Sequence, residues 1–257
     1  MLKKEFDKFG DSDVLEGMSS ISALIKGIEH IGNNRKIEKI LFDEAKKRSK
    51  YRELSFLNAK SKELGFNIEL VASSIIDELT IGNTHGGIVA ICSPRTLPRL
   101  TEDSISDNGV YFILEGVEDP YNFGYAIRSL YAAGIDGVIL GERNWMGAAG
   151  VVARSSAGAS ELMNMYVSDP IEAVDIFKSK GYTVICAGIR DSESIFDTEL
   201  SKPLLVILGG EKRGISRNLL DMAHKIVRID YGGEFGGSLS TSAAAAVFGF
   251  EILRYNR

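Results

Sequence analysis

The 257-residue sequence contains few of the residues that build disulfide-rich or metal-binding proteins. Its two cysteines, Cys92 and Cys186, lie in apolar stretches without CxxC spacing, so we expect buried, reduced thiols and no metal site. No apolar run reaches the roughly 18 residues that cross a bilayer. The charged start, MLKKEFDKFGDSD, lacks the apolar middle of a secretory signal. These absences predict a cytoplasmic protein that does not enter a membrane.

An excess of positive charge is also missing. The chain has 30 Lys and Arg against 35 Asp and Glu, a net charge of −5, which argues against coating nucleic acid through bulk charge. Basic side chains are nevertheless concentrated between residues 35 and 52, where eight Lys or Arg face three acids around Tyr51. This stretch is either a phosphate-contacting patch or a solvated helix. Its candidate contacts are Lys46, Lys47, Arg48, Lys50 and Arg52.

Length and composition predict a globular protein of one large domain or two modest ones. About 150 residues per domain gives that range for this length, and 44% hydrophobic with 25% charged residues is ordinary for a soluble fold. Pro94, Pro98 and the polar stretch TEDSISDNG indicate a linker at residues 98–106 between domains of residues 1–97 and 107–257. A long surface loop within one domain is the alternative.

Hydrophobic periodicity predicts α/β structure in both parts. Before the linker it indicates a helix over residues 14–31, a strand near residues 37–42, and a helix over residues 73–79 capped by Ser73 or Ser74. After the linker, near-continuous apolar strands are typical of a parallel sheet covered on both faces. These strands are predicted at residues 110–115, 137–140, 182–187, 204–208 and 226–229.

Three loops, at residues 115–128, 209–214 and 230–242, follow apolar strands, where open α/β sheets place their ligand crevices. None matches the GxGxxG or GxxxxGK[ST] fingerprint, so neither a dinucleotide site nor a P-loop has direct support. Asn122 is expected to cap the helix of the first loop, and Arg128 lies nearly two turns further on. A simple cap, a snorkelling arginine and ordinary surface loops are the alternatives.

The segments NFGYAIRSLYAAG, LGGEKRGIS and GGSLSTSAAAAVFGFEIL carry a family resemblance. In order and approximate spacing they resemble the three motifs of the SpoU or TrmH-like RNA ribose 2′-O-methyltransferases. RSSAGAS, at residues 154–160, is similar to a further family segment. In the first domain, LFDEAKK and THGGIVA resemble the family's appended substrate-binding domain, a small α/β fold shared with a kink-turn-binding ribosomal protein.

The resemblance implies the fold class and the partners. It implies a small N-terminal α/β RNA-binding domain followed by a mainly parallel-sheet α/β methyltransferase domain with a trefoil knot. S-adenosylmethionine (SAM) is the implied cofactor, and no metal is required. Family members act as homodimers, with each active site completed near the partner subunit. Structured RNA is the implied substrate, ribosomal RNA in preference to tRNA, because an additional RNA-binding-like domain suits a folded loop.

The resemblance also assigns site residues. Asn122 and Glu211 are expected to order the site, together with Ser238 and Ser240. Arg128 is expected to orient the hydroxyl and meet the target phosphate, since its pKa above about 12 makes it an awkward base. The residues implied to hold SAM, largely through backbone groups, are Leu208, Gly209, Gly210, Ile229, Ser238 and Leu239. Arg154, in the RSSAGAS segment, joins the candidate RNA contacts.

The third motif departs from the family's commoner pattern. Asp230 stands where Pro is usual, the glycine-rich loop is one residue longer, and Ser240 stands where Asn is usual. Serine lacks the reach and the second donor of an amide. An RNA-binding protein that kept the scaffold and lost the chemistry is therefore the alternative to an enzyme.

Overall fold

The structure, a computed structural model, describes residues 13–80, 84–141 and 148–257, so most of the charged start lies outside the described residues. Within these ranges, none of the helices is both long and apolar enough to cross a membrane. The chain divides into two compact units. Unit one comprises the described residues of Met1–Thr96 and Trp145–Leu162, and unit two those of Leu97–Asn144 and Met163–Arg257.

Strands and helices alternate along the described chain. The strands are β1 (Asp13–Glu16), β2 (Ile37–Asp43), β3 (Asn67–Val71), β4 (Ile88–Cys92), β5 (Val110–Glu115), β6 (Gly137–Leu140), β7 (Met165–Val167), β8 (Thr183–Ala187), β9 (Glu193–Ser194), β10 (Leu204–Gly209) and β11 (Lys225–Arg228). The helices are α1 (Gly17–His30), α2 (Tyr51–Leu64), α3 (Ser73–Leu79), α4 (Pro120–Ala132), α5 (Ala149–Ser155), α6 (Ala159–Leu162), α7 (Pro170–Ser179), α8 (Arg217–Met222) and α9 (Thr241–Tyr255).

Unit one contains a mixed four-stranded sheet in the order β1-β4-β2-β3. β4 is antiparallel to β1 and β2, whereas β2 and β3 are parallel. The prediction of a helix from residue 14 was wrong at its start, because Asp13–Glu16 pairs with β4 and α1 begins at Gly17. The predicted serine cap of α3 was also wrong. Ala72 occupies the N-cap position, and the Ser73 hydroxyl instead donates to Asp43.

Residues 148–162 follow β6 in sequence but pack within unit one. A buried polar network joins this segment to the strands. Asn33 Nδ2 and Arg35 Nε donate to Glu161 Oε2 at 2.9 and 3.1 Å, and Arg35 also pairs with Asp13. Burial raises the pKa of the Asp13 carboxyl, which Arg35 opposes. Arg35 is only 6% exposed and is therefore not part of the exposed basic stretch.

We expect Glu161→Ala to lower the free energy of unfolding by about 3 kcal/mol, because it leaves the buried Arg35 guanidinium short of a partner. Glu69→Ala, which removes an exposed partner of Lys39, is the control and should cost less than about 1 kcal/mol. Urea denaturation followed by circular dichroism measures both. Equal effects of the two substitutions would show that the network does not stabilise unit one.

Unit two is built on a seven-stranded parallel sheet in the order β7-β6-β5-β10-β8-β11-β9. The apolar side chains of β10 are buried from Leu204 to Leu208, as the continuous apolar pattern predicted. The sequence interpretation did not include α7, although Asp169 accepts hydrogen bonds from two N–H groups of its first turn and Pro170 begins it. The α/β fold class with a parallel C-terminal sheet is confirmed; the trefoil knot stays a prediction.

Both cysteines are free and buried, as expected. Burial raises the pKa of the Cys186 thiol to about 12 and raises that of Cys92 as well. These thiols are therefore protonated and unreactive at neutral pH.

Candidate active site

The loops after β5, β10 and β11 leave the same edge of the parallel sheet. The first of them leads into α4, whose cap differs from the prediction. Asp119 caps this helix by accepting from the Tyr121 N–H at 2.9 Å, and Pro120 is the first helical residue. Asn122 is therefore not the cap. It lies in the first turn of α4, where its amide is free to bind other loops.

The side chain of Asn122 connects the three motifs. Its Nδ2 donates to Glu211 Oε1 at 2.9 Å, and its Oδ1 accepts from Ser242 Oγ at 3.4 Å. Ser242 Oγ in turn lies 2.9 Å from Ser240 Oγ. The amide is thus oriented from both ends. We call Asn122, Glu211, Ser240 and Ser242 the polar cluster.

Ser240 also organises the backbone at the start of α9. Its hydroxyl accepts from the Ala243 N–H at 3.2 Å and so caps the helix. The next residue, Thr241, is 4% exposed and donates to the Gly209 carbonyl at 2.8 Å. Thr241 therefore ties the third motif to the second. Sequence reasoning missed it, although its position directly after the predicted site residue Ser240 was a signal.

Arg128 lies on the exposed side of α4 and does not join the polar cluster. Its guanidinium makes no hydrogen bond or ion pair with any residue that the structure describes. It does not line the cleft described below. An exposed, uncommitted guanidinium of this kind is able to bind a phosphate in a bidentate geometry.

A cleft of about 910 Å³ opens beside the polar cluster, bounded by the segments after β8, β10 and β11. All six residues predicted to hold a cofactor line it: Leu208, Gly209, Gly210, Ile229, Ser238 and Leu239. Glu211 lines it too and joins it to the polar cluster. Its volume is in the usual range for small-molecule sites.

Two glycines allow loops to approach closely beneath this cleft. A Cβ on Gly209 would lie 2.4 Å from the Gly214 carbonyl carbon, and one on Gly210 would lie 2.1 Å from the Gly116 oxygen. The Gly210 N–H donates to the Glu115 carbonyl at 2.6 Å. Only glycine fits such approaches. The cleft is thus lined by backbone segments that approach each other closely and by apolar side chains. Such a lining suits an adenosine-containing cofactor that is held largely through backbone groups.

We expect Gly210→Ala to weaken SAM binding at least about tenfold, because the added methyl displaces the loop from Gly116. Gly236→Ala is a matched control in the third loop, where an added Cβ meets nothing within 4 Å. Titration calorimetry with SAM measures both variants. Unchanged affinity in Gly210→Ala would show that this loop is not part of the cofactor site.

The unusual Asp230 has a structural explanation. Arg228 Nε donates to its carboxylate at 2.7 Å. Hydrogen bonds from Ser194 and Arg228 lower the pKa of the Asp230 carboxyl. The carboxylate therefore anchors the start of the glycine-rich loop to β11, where the commoner proline would restrict the chain through its ring.

The predicted RNA contacts lie in unit one and differ in their surroundings. Lys47, Arg48 and Arg52 are exposed, whereas Lys46 and Lys50 are partly buried near Asp43 and Glu53. Arg154 forms a 3.3 Å ion pair with Glu16 and is 22% exposed at its side chain. The first five therefore lie on one stretch of chain, and Arg154 is engaged elsewhere in the unit.

Comparisons with known proteins agree on both parts of the chain. Residues 109–250 match the SpoU rRNA methylase family, and residues 14–98 match the RNA 2′-O ribose methyltransferase substrate-binding family. A 23S rRNA (guanosine-2′-O-)-methyltransferase, RlmB, of Shewanella oneidensis is 29% identical over 210 residues. That match covers 79% of this chain and 85% of the relative.

Solved structures share the fold. An AdoMet-bound rRNA methyltransferase from Sinorhizobium meliloti aligns with a TM-score of 0.76 at 22% identity, over 98% of this chain and 90% of that one. The SpoU methyltransferase AviRb of Streptomyces viridochromogenes, in complex with AdoMet, aligns with a TM-score of 0.76 at 20% identity, over 96% and 92%. With more than half of its length matched by the family model, the chain belongs to the SpoU family of SAM-dependent RNA 2′-O-methyltransferases and carries the family's N-terminal substrate-binding domain.

Proposed function

We propose that this enzyme methylates a ribose 2′-hydroxyl of ribosomal RNA, with SAM held in the cleft beside the polar cluster. The observation that carries the proposal is the chain of hydrogen bonds from Glu211 through Asn122 to Ser242 and Ser240, at the rim of a cleft lined by every expected cofactor contact. Ribosomal RNA is favoured over tRNA because the relative from Shewanella oneidensis acts on 23S rRNA by its name.

Bound SAM supplies an electrophilic methyl group on a sulfonium. The protein positions the reacting groups and provides the electrostatic environment around them. The backbone around Leu208, Gly209 and Leu239 fixes the cofactor, and Asn122 and Glu211 hold each other in one orientation. Arg128 binds the phosphate beside the target ribose and orients its hydroxyl toward the methyl group. Such positioning lowers the entropic part of the barrier.

We also propose a homodimer that assembles through α4 and α9. These helices pack together, since Gly249 faces Ala133 with room for no more than a small side chain. Aromatic side chains that are 40–49% exposed lie on the two helices: Tyr121, Tyr125, Tyr131, Phe250 and Tyr255. Exposed aromatic side chains on two helices that pack together support an interface here. Sedimentation analysis should give a dimer for the unmodified protein and a monomer for Tyr125→Lys with Phe250→Lys.

The exposed basic stretch of unit one is proposed to bind RNA phosphates. Lys47→Glu with Arg48→Glu should weaken binding of ribosomal RNA at least about tenfold and reduce the salt dependence by about two phosphate contacts. Lys26→Glu with Lys62→Glu is the matched control, because both lysines are exposed in unit one and the net charge changes by the same amount. Filter binding at several salt concentrations measures the effect. Equal losses in both proteins would mean that net charge, not this stretch, determines the affinity.

The substrate is tested by mapping 2′-O-methylated positions in ribosomal RNA and tRNA from cells with and without the gene. The proposal expects one ribosomal position to lose its methyl group, and loss confined to tRNA would contradict it. We propose a cytoplasmic location, which the free, buried cysteines and the proposed ribosomal RNA substrate support.

A further inference from the structure

Two aromatic side chains form a pair in the glycine-rich loop between β11 and α9. The rings of Tyr231 and Phe235 lie 5.8 Å apart between centroids, with an angle of 52° between their planes. Tyr231 lines the cofactor cleft and accepts a hydrogen bond from the Leu239 N–H at 3.2 Å. The pair is thereby fixed to the residue that precedes Ser240 in the polar cluster.

Phe235 is held in an exposed position by its own loop. It is 60% exposed, although burying a phenyl ring is favourable. A Cβ on Gly237 would lie 2.6 Å from Cζ of this ring, so only glycine at that position leaves room for the ring. The loop therefore holds a flat apolar surface against Tyr231, a residue of the cleft lining, and the protein chain leaves this surface largely uncovered.

The cleft beside this surface is lined by charges of both signs, which are the carboxylates of Asp191, Glu211 and Asp221 and four arginines. Two of the arginines that line it have carboxylate partners, since Arg217 pairs with Asp221 at 2.9 Å and Arg228 with Asp230 at 2.7 Å. The other two, Arg190 and Arg213, are exposed and make no hydrogen bond or ion pair within the described ranges. Exposed aromatics beside free guanidinium groups are the combination that binds single-stranded nucleic acid.

We propose that Tyr231 and Phe235 form a stacking platform for a base at the target site, while Arg213 binds an adjacent phosphate. The inference rests on the proposed function, because it assumes that RNA enters this cleft. A base splayed out of a folded RNA loop offers a π-face for Phe235.

The alternative is that the exposed phenyl ring of Phe235 contacts another protein. Free arginines in the adjoining cleft favour a polyanion. Stacking requires a flat ring on the protein and a flat base on the ligand. A contact with another protein requires only an apolar side chain of suitable volume. The two occupants are therefore separable by substitutions at one position.

The experiment measures binding of two fluorescent probes to the full chain saturated with S-adenosylhomocysteine. One probe is a single-stranded oligoadenylate of about twelve nucleotides, and the other is its abasic counterpart. Phe235→Ala should weaken oligoadenylate binding about tenfold and leave the abasic probe unchanged. Phe235→Tyr should retain affinity and Phe235→Leu should lose it. Arg213→Gln should weaken both probes and lower the salt slope by about one.

Phe196→Ala is the matched control, because Phe196 is 59% exposed and follows β9 at the edge of the sheet. It should bind both probes as the unmodified protein does. Four results would overturn the proposal: no preference of the unmodified protein for the base-containing probe, equal losses on both probes in Phe235→Ala, full retention in Phe235→Leu, or a change of oligomeric state in Phe235→Ala.

Failure of the proposed function gives a different result. An unmodified protein that binds no S-adenosylhomocysteine in calorimetry, or transfers no methyl group to ribosomal RNA, contradicts the function whatever Phe235 does. If Phe235→Ala methylates ribosomal RNA as fast as the unmodified protein, that result contradicts the stacking platform and leaves the proposed function standing.

Discussion

Arg128→Ala is expected to lower the rate of RNA methylation at least about 10²-fold, which is the low end for a group that assists proton transfer. The affinity for SAM should stay within about twofold, because Arg128 does not line the cleft and makes no hydrogen bond or ion pair with the described residues. Arg128→Lys should recover only part of the rate. Lysine restores the charge but not the planar fork that binds a phosphate through two hydrogen bonds.

Single-turnover methylation of ribosomal RNA and titration calorimetry with SAM separate the two effects. Arg217→Ala is the control, because Arg217 lines the cleft but is paired with Asp221, and it should retain most of the rate. Full activity of Arg128→Ala would make Arg128 a snorkelling surface residue. Loss of SAM binding or of dimerisation in Arg128→Ala would contradict the assigned role, but it would not contradict the methyltransferase function of the unmodified protein.

Asn122→Asp is expected to lower the rate about 10²-fold, although the new side chain has the same shape. The amide nitrogen lies 2.9 Å from Glu211 Oε1, so an aspartate would place two carboxylates in contact. Like charges at that distance repel and turn both side chains away from their shared orientation. SAM binding should weaken much less, since Asn122 is not among the residues that line the cleft.

The double variant Asn122→Asp with Glu211→Gln provides the control. It exchanges donor and acceptor, so a hydrogen bond between one amide and one carboxylate is restored. We expect it to be at least about tenfold faster than Asn122→Asp alone, which a double-mutant cycle measures as coupling between the two positions. Strictly additive losses would show that the 2.9 Å contact plays no part in catalysis.

The local sequence pattern was sufficient to predict the bounds of a strand where every residue of the strand is buried to a similar extent. The predicted strands at residues 110–115 and 137–140 agree with β5 and β6 at every residue, because both are buried in a parallel sheet and leave a continuous apolar run. The six residues that the family resemblance implies for SAM binding lie together in the structure, and their role in holding SAM stays a prediction. All six line one cleft.

Sequence reasoning failed where a distant partner decides the outcome. Asp13–Glu16 has a pattern that is compatible with a helix, yet it forms a strand because it pairs with β4. Arg35 looked like part of a basic surface, but Asp13 and Glu161 hold it in the interior. The placement of residues 148–162 in unit one depends on close contacts such as Gly27 against the Glu161 carbonyl, 2.2 Å from a hypothetical Cβ. No spacing rule reports such pairings between residues that are distant in sequence.

The proposed methyl transfer is tested most directly with the purified protein, methyl-labelled SAM and ribosomal RNA from cells that lack the gene. After incubation, the RNA is digested to nucleosides and the labelled nucleoside is identified. We expect the label to appear in one 2′-O-methylnucleoside, and Arg128→Ala to reduce it at least about 10²-fold. Label in a base-methylated nucleoside, or no transfer by a protein that binds SAM, would contradict this expectation.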